Sequence, residues 1–193
     1  MMKTEAYKIL PKDPILLAPL AGVSDAAFRL MCERNGADLT YVEMLSSAAL
    51  IYGNQKTRDM LFRLPEEINV GVQLTGRNAD EIAQGVEILN PYGFKTIDIN
   101  MGCPVKKVVK VGCGSALLKD AEKVYEVTSK AVAAAAVPLS VKIRLGWDLD
   151  SRNFMEVVDA IEKAGAVWVT VHGRTRSQNY SDPVDLEALR KIK

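Results

Sequence analysis

The stretch Ile97–Pro104, IDINMGCP, puts a thiol three residues past an asparagine, on a tight turn at the end of an apolar run. Gly102 permits close backbone approach and Pro104 stiffens the chain just beyond the thiol. A cysteine there is either a small filler or a presented group. A free thiol has a pKa of about 8.5, so at neutral pH it is mostly protonated and can donate a proton. Lys106 and Lys107, close by in sequence, would instead favour the thiolate. Three comparable runs end in residues able to do chemistry: VGVQL in an amide near Gln73, SVKIR around the cation Lys142, and VWVTVH in His172, the single histidine. The other cysteines read as structural. Cys32 falls on the apolar face of a helix. Cys113 sits in a Gly-Cys-Gly turn, able to pair with Cys103 under oxidation but better read as a small turn residue.

The elements that must position these residues alternate along the chain. Strand candidates are Ile15–Leu20, Leu39–Met44, Asn69–Leu74, Thr96–Asn100, Leu139–Leu145 and Val167–Gly173. Helical spacing lies between them. Ser24 is a plausible N-cap for a helix with Ala27, Phe28, Met31 and Cys32 on one face, and a short helix is expected near Ser46–Tyr52. Asn78 is placed to cap a helix through Leu89. Further helices are expected near Asp120–Ala136, around Phe154–Ile161 and from Val184 onward. Six strand–helix units in a row imply a parallel sheet with helical crossovers.

Strand parity separates a doubly wound sheet from a barrel. Side chains alternate faces along a strand. Val70, Val72 and Leu74 share one face, as do Ile97 and Ile99, Val141 and Ile143, and Val169 and Val171. The opposite face carries Gln73, Asp98, Asn100, Lys142, Arg144, Thr170 and His172. An open sheet covered by helices on both sides needs two apolar faces. One apolar face, and one that turns polar toward the strand C-termini, fits a TIM (β/α)8 barrel with its active-site mouth at that rim. Singly, a Gln or Asn at a strand end, an outward-reaching Lys or a lone His has an ordinary structural reading. Together, Gln73, Asn100, Lys142 and His172 converge, and burying each without a partner would cost about 1–3 kcal/mol. A polar ligand resolves that cost. The Met101–Gly114 connection is also long for a strand–helix link, as functional loops tend to be.

Composition excludes some classes. The 193 residues suit one domain; 48% are hydrophobic and 25% charged, as in ordinary globular proteins. With 25 basic against 24 acidic residues the formal charge is +1, so any nucleic-acid surface must be a local patch. Three cysteines without a CxxC give neither a disulfide framework nor a zinc site, and suit a reducing, cytoplasmic setting. Met1–Leu10 lacks the apolar core of a signal peptide, and Ala131–Val137 is far short of the roughly 18 residues a membrane span needs. The reading expects no membrane partner, no metal and a monomer.

Ile97–Leu118, IDINMGCPVKKVVKVGCGSALL, resembles the signature of the FMN-dependent tRNA-dihydrouridine synthases: a D-x-N-x-G-C-P core, a basic loop, then Gly and a small residue, here Gly114-Ser115. Leu17–Arg29, Tyr41–Met44, Val72–Gly76, Val141–Asp148 and Val171–Tyr180 resemble the family's other strand ends, in the family's order. The resemblance implies an FMN-binding TIM barrel followed by a helical tRNA-binding domain. It implies reduction of tRNA uridine to 5,6-dihydrouridine, with NADPH or NADH as reductant, hydride passing from flavin N5 to C6. By resemblance Cys103 protonates C5. Pro19, Leu20 and Ala21 line the flavin through their backbone, Gln73 bonds the ring edge, and Lys142 stands near N1 and the C2 carbonyl. Asn100 orients the uracil, and His172 completes the flavin or base pocket. Arg144, Arg174 and Arg176 are candidates for phosphate or RNA contacts.

Three places depart from the pattern. The first strand reads APLA where APMA is commoner, Cys113 stands where a smaller or acidic residue is usual, and NYSDPVDL is less typical. Only about six β/α units are legible, so residues 1–193 read as the N-terminal portion of the catalytic barrel. The remaining units, with the phosphate site such barrels often build after strands seven and eight, and the helical domain are expected beyond Lys193. On that reading the chain alone binds FMN weakly or not at all. Two alternatives stand: a related FMN-barrel oxidoreductase of dihydroorotate dehydrogenase type, whose chemistry is the same transfer run in reverse on a free base, and a catalytically incompetent remnant.

Overall fold

The computed structural model describes residues 10–193; the reading of the first nine residues lies outside them. Five parallel strands form one sheet: β1 (Thr40–Ser46), β2 (Val70–Thr75), β3 (Ile97–Asn100), β4 (Leu139–Arg144) and β5 (Trp168–His172). Their order in space is β1-β2-β3-β4-β5, the order in sequence. A doubly wound sheet reverses direction at a switch point. A strictly sequential order with right-handed crossovers keeps every helix on one side, which is the barrel arrangement. The first of the six strand candidates, Ile15–Leu20, is only a single bridge from Leu16 to Leu39. Pro14 and Pro19 bracket it, and proline offers no ladder donor.

The helices are α1 (Ala26–Arg34), α2 (Ser47–Ile51), α3 (Gln55–Asp59), α4 (Ala79–Leu89), α5 (Lys106–Lys110), α6 (Ala121–Ala134), α7 (Phe154–Lys163) and α8 (Leu186–Ile192). Local chemistry sets their starts. Asn78 Oδ1 accepts from the Glu81 amide, and Asp120 Oδ1 from those of Glu122 and Lys123. The outward aliphatic row of the sheet meets this helical layer. Val72, Leu74, Ile97, Ile99, Val141 and Ile143 pack with Ile82, Val86, Val124, Val127, Val157 and Ile161 in one continuous core.

The first helix differs from expectation. Its cap is Asp25, whose carboxylate accepts from the Phe28 amide, and Ser24 instead bonds back to Leu20. The face carrying Ala27, Phe28 and Met31 is exposed and Cys32 is only half-buried, so Cys32 is not core. The buried residue is Arg29, at 2% exposure. Its Nε donates to Glu67 Oε1 at 2.7 Å and its Nη2 to Glu67 Oε2 at 3.1 Å, while Nη1 and Nη2 also donate to the carbonyls of Ser24 and Phe62. A fully bonded guanidinium–carboxylate pair satisfies its buried charges only in this geometry. Rotating the helix to bury its apolar stripe would break the pair.

Candidate active site

The inner face of the sheet is built in rows fixed by strand register. Gln73 is level with Asp98, and Asp98 with Ser140. One step toward the mouth, Asn100 is level with Lys142, and Lys142 with Thr170. At the rim Arg144 is level with His172. Deeper still, Gly71 lies under the ring of Tyr41, where a Cβ would stand 2.6 Å from Tyr41 Cε1. The structure thus brings Gln73, Asn100, Lys142, Arg144 and His172 onto one surface, as alternation predicts.

Hydrogen bonds tie the first two rows into a relay. Ser140 Oγ donates to Asp98 Oδ1 at 2.6 Å and Gln73 Nε2 to Asp98 Oδ2 at 2.7 Å. Asn100 Nδ2 donates to Gln73 Oε1 at 2.9 Å. Asn100 Oδ1 then accepts from the amides of Gly102 and Cys103, at 3.1 and 2.9 Å. The relay ends on the turn that carries the thiol. Two more bonds hold that turn: the Met101 amide donates to the Lys142 carbonyl, and the Ser115 amide to the Cys103 carbonyl. Gly102 packs on β4, where a Cβ would sit 3.2 Å from the Ile143 carbonyl carbon. The Cys103 thiol is free and half-buried; Cys113 is free and buried, and burial pushes its pKa up.

Charge is concentrated around this turn. Asp98 is pushed up to about 6 by burial, against the hydrogen bonds from Ser140 and Gln73 and the charge of Lys142. The Tyr41 phenol is raised well above its ordinary range by burial and by Asp98. Lys142 is lowered by burial, opposed by Asp98 and reinforced by Arg144. Its ammonium enters none of the ion pairs among the described residues. His172 is lowered to about 4 by burial and by the cations Arg144, Lys142 and Arg174. The pocket is therefore cationic with a neutral imidazole.

The rim arginines are placed differently from one another. Arg144 is buried and donates Nη1 to the Thr175 carbonyl at 2.7 Å. Arg174 donates Nε to the Asp182 carbonyl, Nη2 to the Tyr180 carbonyl, and lies with Nη1 3.0 Å from His172 Nε2. Both brace the loop after β5. Arg176 lies over the Trp147 ring at 4.4 Å, with Lys119 at 3.6 Å from the same ring, and its Nε is buried without a hydrogen-bond partner. Sequence reasoning singled out neither Trp147 nor Lys119. Nor did it pair Asp98 with Ser140, which needs the β3–β4 register. In the first turn, Leu20 donates its amide to Ser24 Oγ, and Gly22 donates its own to Glu43 Oε2. Leu20 and Ala21 are exposed and Pro19 is half-buried. Among the described residues no group of His, Cys, Asp or Glu could hold a metal, and no helix is long and apolar enough to cross a membrane.

The sequential parallel sheet, with its polar residues gathered at the strand C-termini, defines a (β/α)-barrel protein with a site at the mouth. Solved structures agree on the fold. Phosphonopyruvate hydrolase, in a complex with oxalate and Mg++, superposes with a TM-score of 0.58 at 14% identity, over 94% of this chain and 65% of that one. A 2,3-dimethylmalate lyase of the PEP mutase/isocitrate lyase superfamily gives 0.54 at 18%, over 89% of this chain and 62% of that one. At such identities the likeness concerns the fold alone. The family model for dihydrouridine synthase (Dus) matches residues 16–193. The tRNA-dihydrouridine synthase B of Pasteurella multocida is 38% identical over 192 residues, all of this chain and 57% of its own length. That of Pseudomonas aeruginosa is 40% identical over 179 residues, 93% of this chain and 54% of its own. The chain belongs to the dihydrouridine synthase family, and it spans a little over half the length of these relatives.

Proposed function

We propose that this chain carries the uracil-facing wall of a tRNA-dihydrouridine synthase, which reduces uridine in tRNA to 5,6-dihydrouridine. The residues present fit an FMN cofactor. Lys142 is a largely buried cation without an ion-pair partner among the described residues, and it would be matched by the anionic edge of a reduced flavin ring. His172 and the backbone of Pro19, Leu20 and Ala21 would complete the flavin's surroundings, with Gln73 beneath. Bound FMN, reduced by NADPH or NADH, supplies the hydride for C6 of the uracil. The Cys103 thiol gives its proton to C5, so that hydrogen adds across the C5–C6 double bond, and the thiolate left behind is reprotonated from water. Asn100 holds the turn so that the thiol and the base meet. A uridine in folded tRNA must leave its stack to reach this mouth. Arg176, with Lys119 over the same Trp147 ring, would meet its phosphates, while Arg144 and Arg174 brace the loop after β5.

The observation that supports this reading most is the clamped turn, where Asn100 accepts from the Gly102 and Cys103 amides and so fixes the backbone that carries a free thiol, with Asn100 level with Lys142 on the next strand. Deleting the gene removes dihydrouridine from the tRNA positions this protein modifies, as read by nucleoside mass spectrometry. The wild-type gene restores it and Cys103→Ala does not. Unchanged dihydrouridine in the deletion strain would contradict the proposal.

A further inference from the structure

The strongest feature that the reductase reading does not use is Asp98. It is 2% exposed, and its two oxygens are held by neutral donors, Ser140 and Gln73, with no cation in ion-pair contact among the described residues. A buried carboxylate so held is expensive, and an aliphatic side chain would pack there at lower cost. Such a group calls for a reason.

The relay supplies one. At its inner end an ionised carboxylate can only accept hydrogen bonds; at its outer end the amides of Gly102 and Cys103 can only donate. Between them stand two primary amides, Gln73 and Asn100, each with one donating and one accepting end. Only one orientation of each satisfies every contact. If Gln73 turned over, its carbonyl would face the Asp98 carboxylate and its NH2 would face Asn100 Nδ2. Asn100 would then have to turn as well and set its NH2 against the two donors of the turn. We infer that Asp98, with Ser140, is the positioning residue that fixes the direction of the whole relay, and through Gln73 and Asn100 holds the Cys103 turn in one conformation. The hydrogen bonds of Asp98 run to Gln73 and Ser140 and not to the thiol, so it acts through the two amide side chains. The inference rests on the reductase reading for its purpose, but its geometry stands apart from it.

The test is residue-resolved amide hydrogen exchange on the full chain, which needs neither flavin nor tRNA. In Asp98→Ala the amides of Gly102 and Cys103 exchange about tenfold faster or more, as expected when the hydrogen bond that protects them is lost, while those of core strands β2 and β4 keep their rates. Asp98→Asn keeps protection near the wild-type level, because its carbonyl still accepts from Gln73 and its NH2 finds the Ser140 hydroxyl. Asp98→Leu combined with Ser140→Ala removes the acceptor that Gln73 needs while keeping an apolar side chain of similar volume, and loses protection again. If Asp98→Ala does not fold, this pair of variants decides the matter. Full protection of both amides in Asp98→Ala, or in the double variant, would overturn the inference. Loss of protection in a protein whose deletion leaves tRNA dihydrouridine unchanged would uphold the positioning role and refute the reductase reading alone.

Discussion

His172 has two ring nitrogens, and one neighbour settles the proton between them. Arg174 Nη1 lies 3.0 Å from Nε2, and a guanidinium can only donate, so Nε2 accepts and the proton sits on Nδ1. Burial and the cations Arg144, Lys142 and Arg174 lower its pKa to about 4. Nitrogen-15 NMR should therefore show a neutral, Nδ1-protonated ring at pH 6, with a midpoint well below the ordinary value. In Arg174→Ala the midpoint moves up. A wild-type midpoint near 6.5 would contradict this assignment. The convergence of Gln73, Asn100, Lys142 and His172 is legible from alternation alone, since period 2 sorts side chains by face. What alternation cannot give is which residues on that face touch. Asp98 and Ser140 are 42 positions apart, and only the β3–β4 register puts them level. Arg144 and Arg174 stand in the sequence as candidates for phosphate or RNA contacts, yet in the fold carbonyls of the loop after β5 accept from both.

Among the elements, capping and periodicity locate α4 and α6 well because their signals are local: Asn78 and Asp120 each bond amides two or three residues on. The orientation of the first helix defeats the same reasoning because its deciding partner, Glu67, lies 38 residues away. That pair predicts a clear asymmetry. Arg29→Ala leaves a buried carboxylate unpaired and should lower unfolding free energy by about 3–5 kcal/mol in urea titrations. Replacing both partners with apolar residues of similar volume, Arg29→Met with Glu67→Leu, should recover most of the loss. Equal losses in the single and double variants would show that the pair itself is net stabilising. On β2, Gly71→Ala forces a methyl between the Tyr41 ring and the Thr96 methyl and should cost about 1–3 kcal/mol, relieved only in part by a smaller residue at position 41.

For the whole molecule, two features matter: a buried charge and an open sheet. Asp98 binds its proton more tightly in the folded protein, at about 6, than the ordinary 3.8. A raised pKa stabilises the fold below the ordinary value and loses that contribution as pH rises through 6. Relative to Asp98→Asn, wild-type stability should therefore rise as pH falls from 7 to 4, by up to about 3 kcal/mol. Parallel curves for the two proteins would show that Asp98 is not perturbed. The sheet ends at a single bridge beside β1 and at a half-exposed β5, with Ile15, Leu20, Val23, Phe28 and Met31 exposed beside the first edge and Val184 and Leu186 beside the second. With these edges uncovered we expect FMN to be held weakly or not at all, and stoichiometric yellow flavin on purification would refute that expectation. The order of the units is readable from sequence because crossover helices alternate with strands. How far the sheet curves toward closure is not, since that depends on what packs against its edges.

The central claim is that Cys103 delivers the proton that completes uracil reduction. It is tested most directly by anaerobic single-turnover mixing of tRNA with the protein saturated with added, reduced FMN, following the return of oxidised flavin absorbance. Cys103→Ala should slow this oxidation by about 10²–10⁴-fold while leaving flavin content unchanged. Equal rates in wild type and Cys103→Ala would contradict the account.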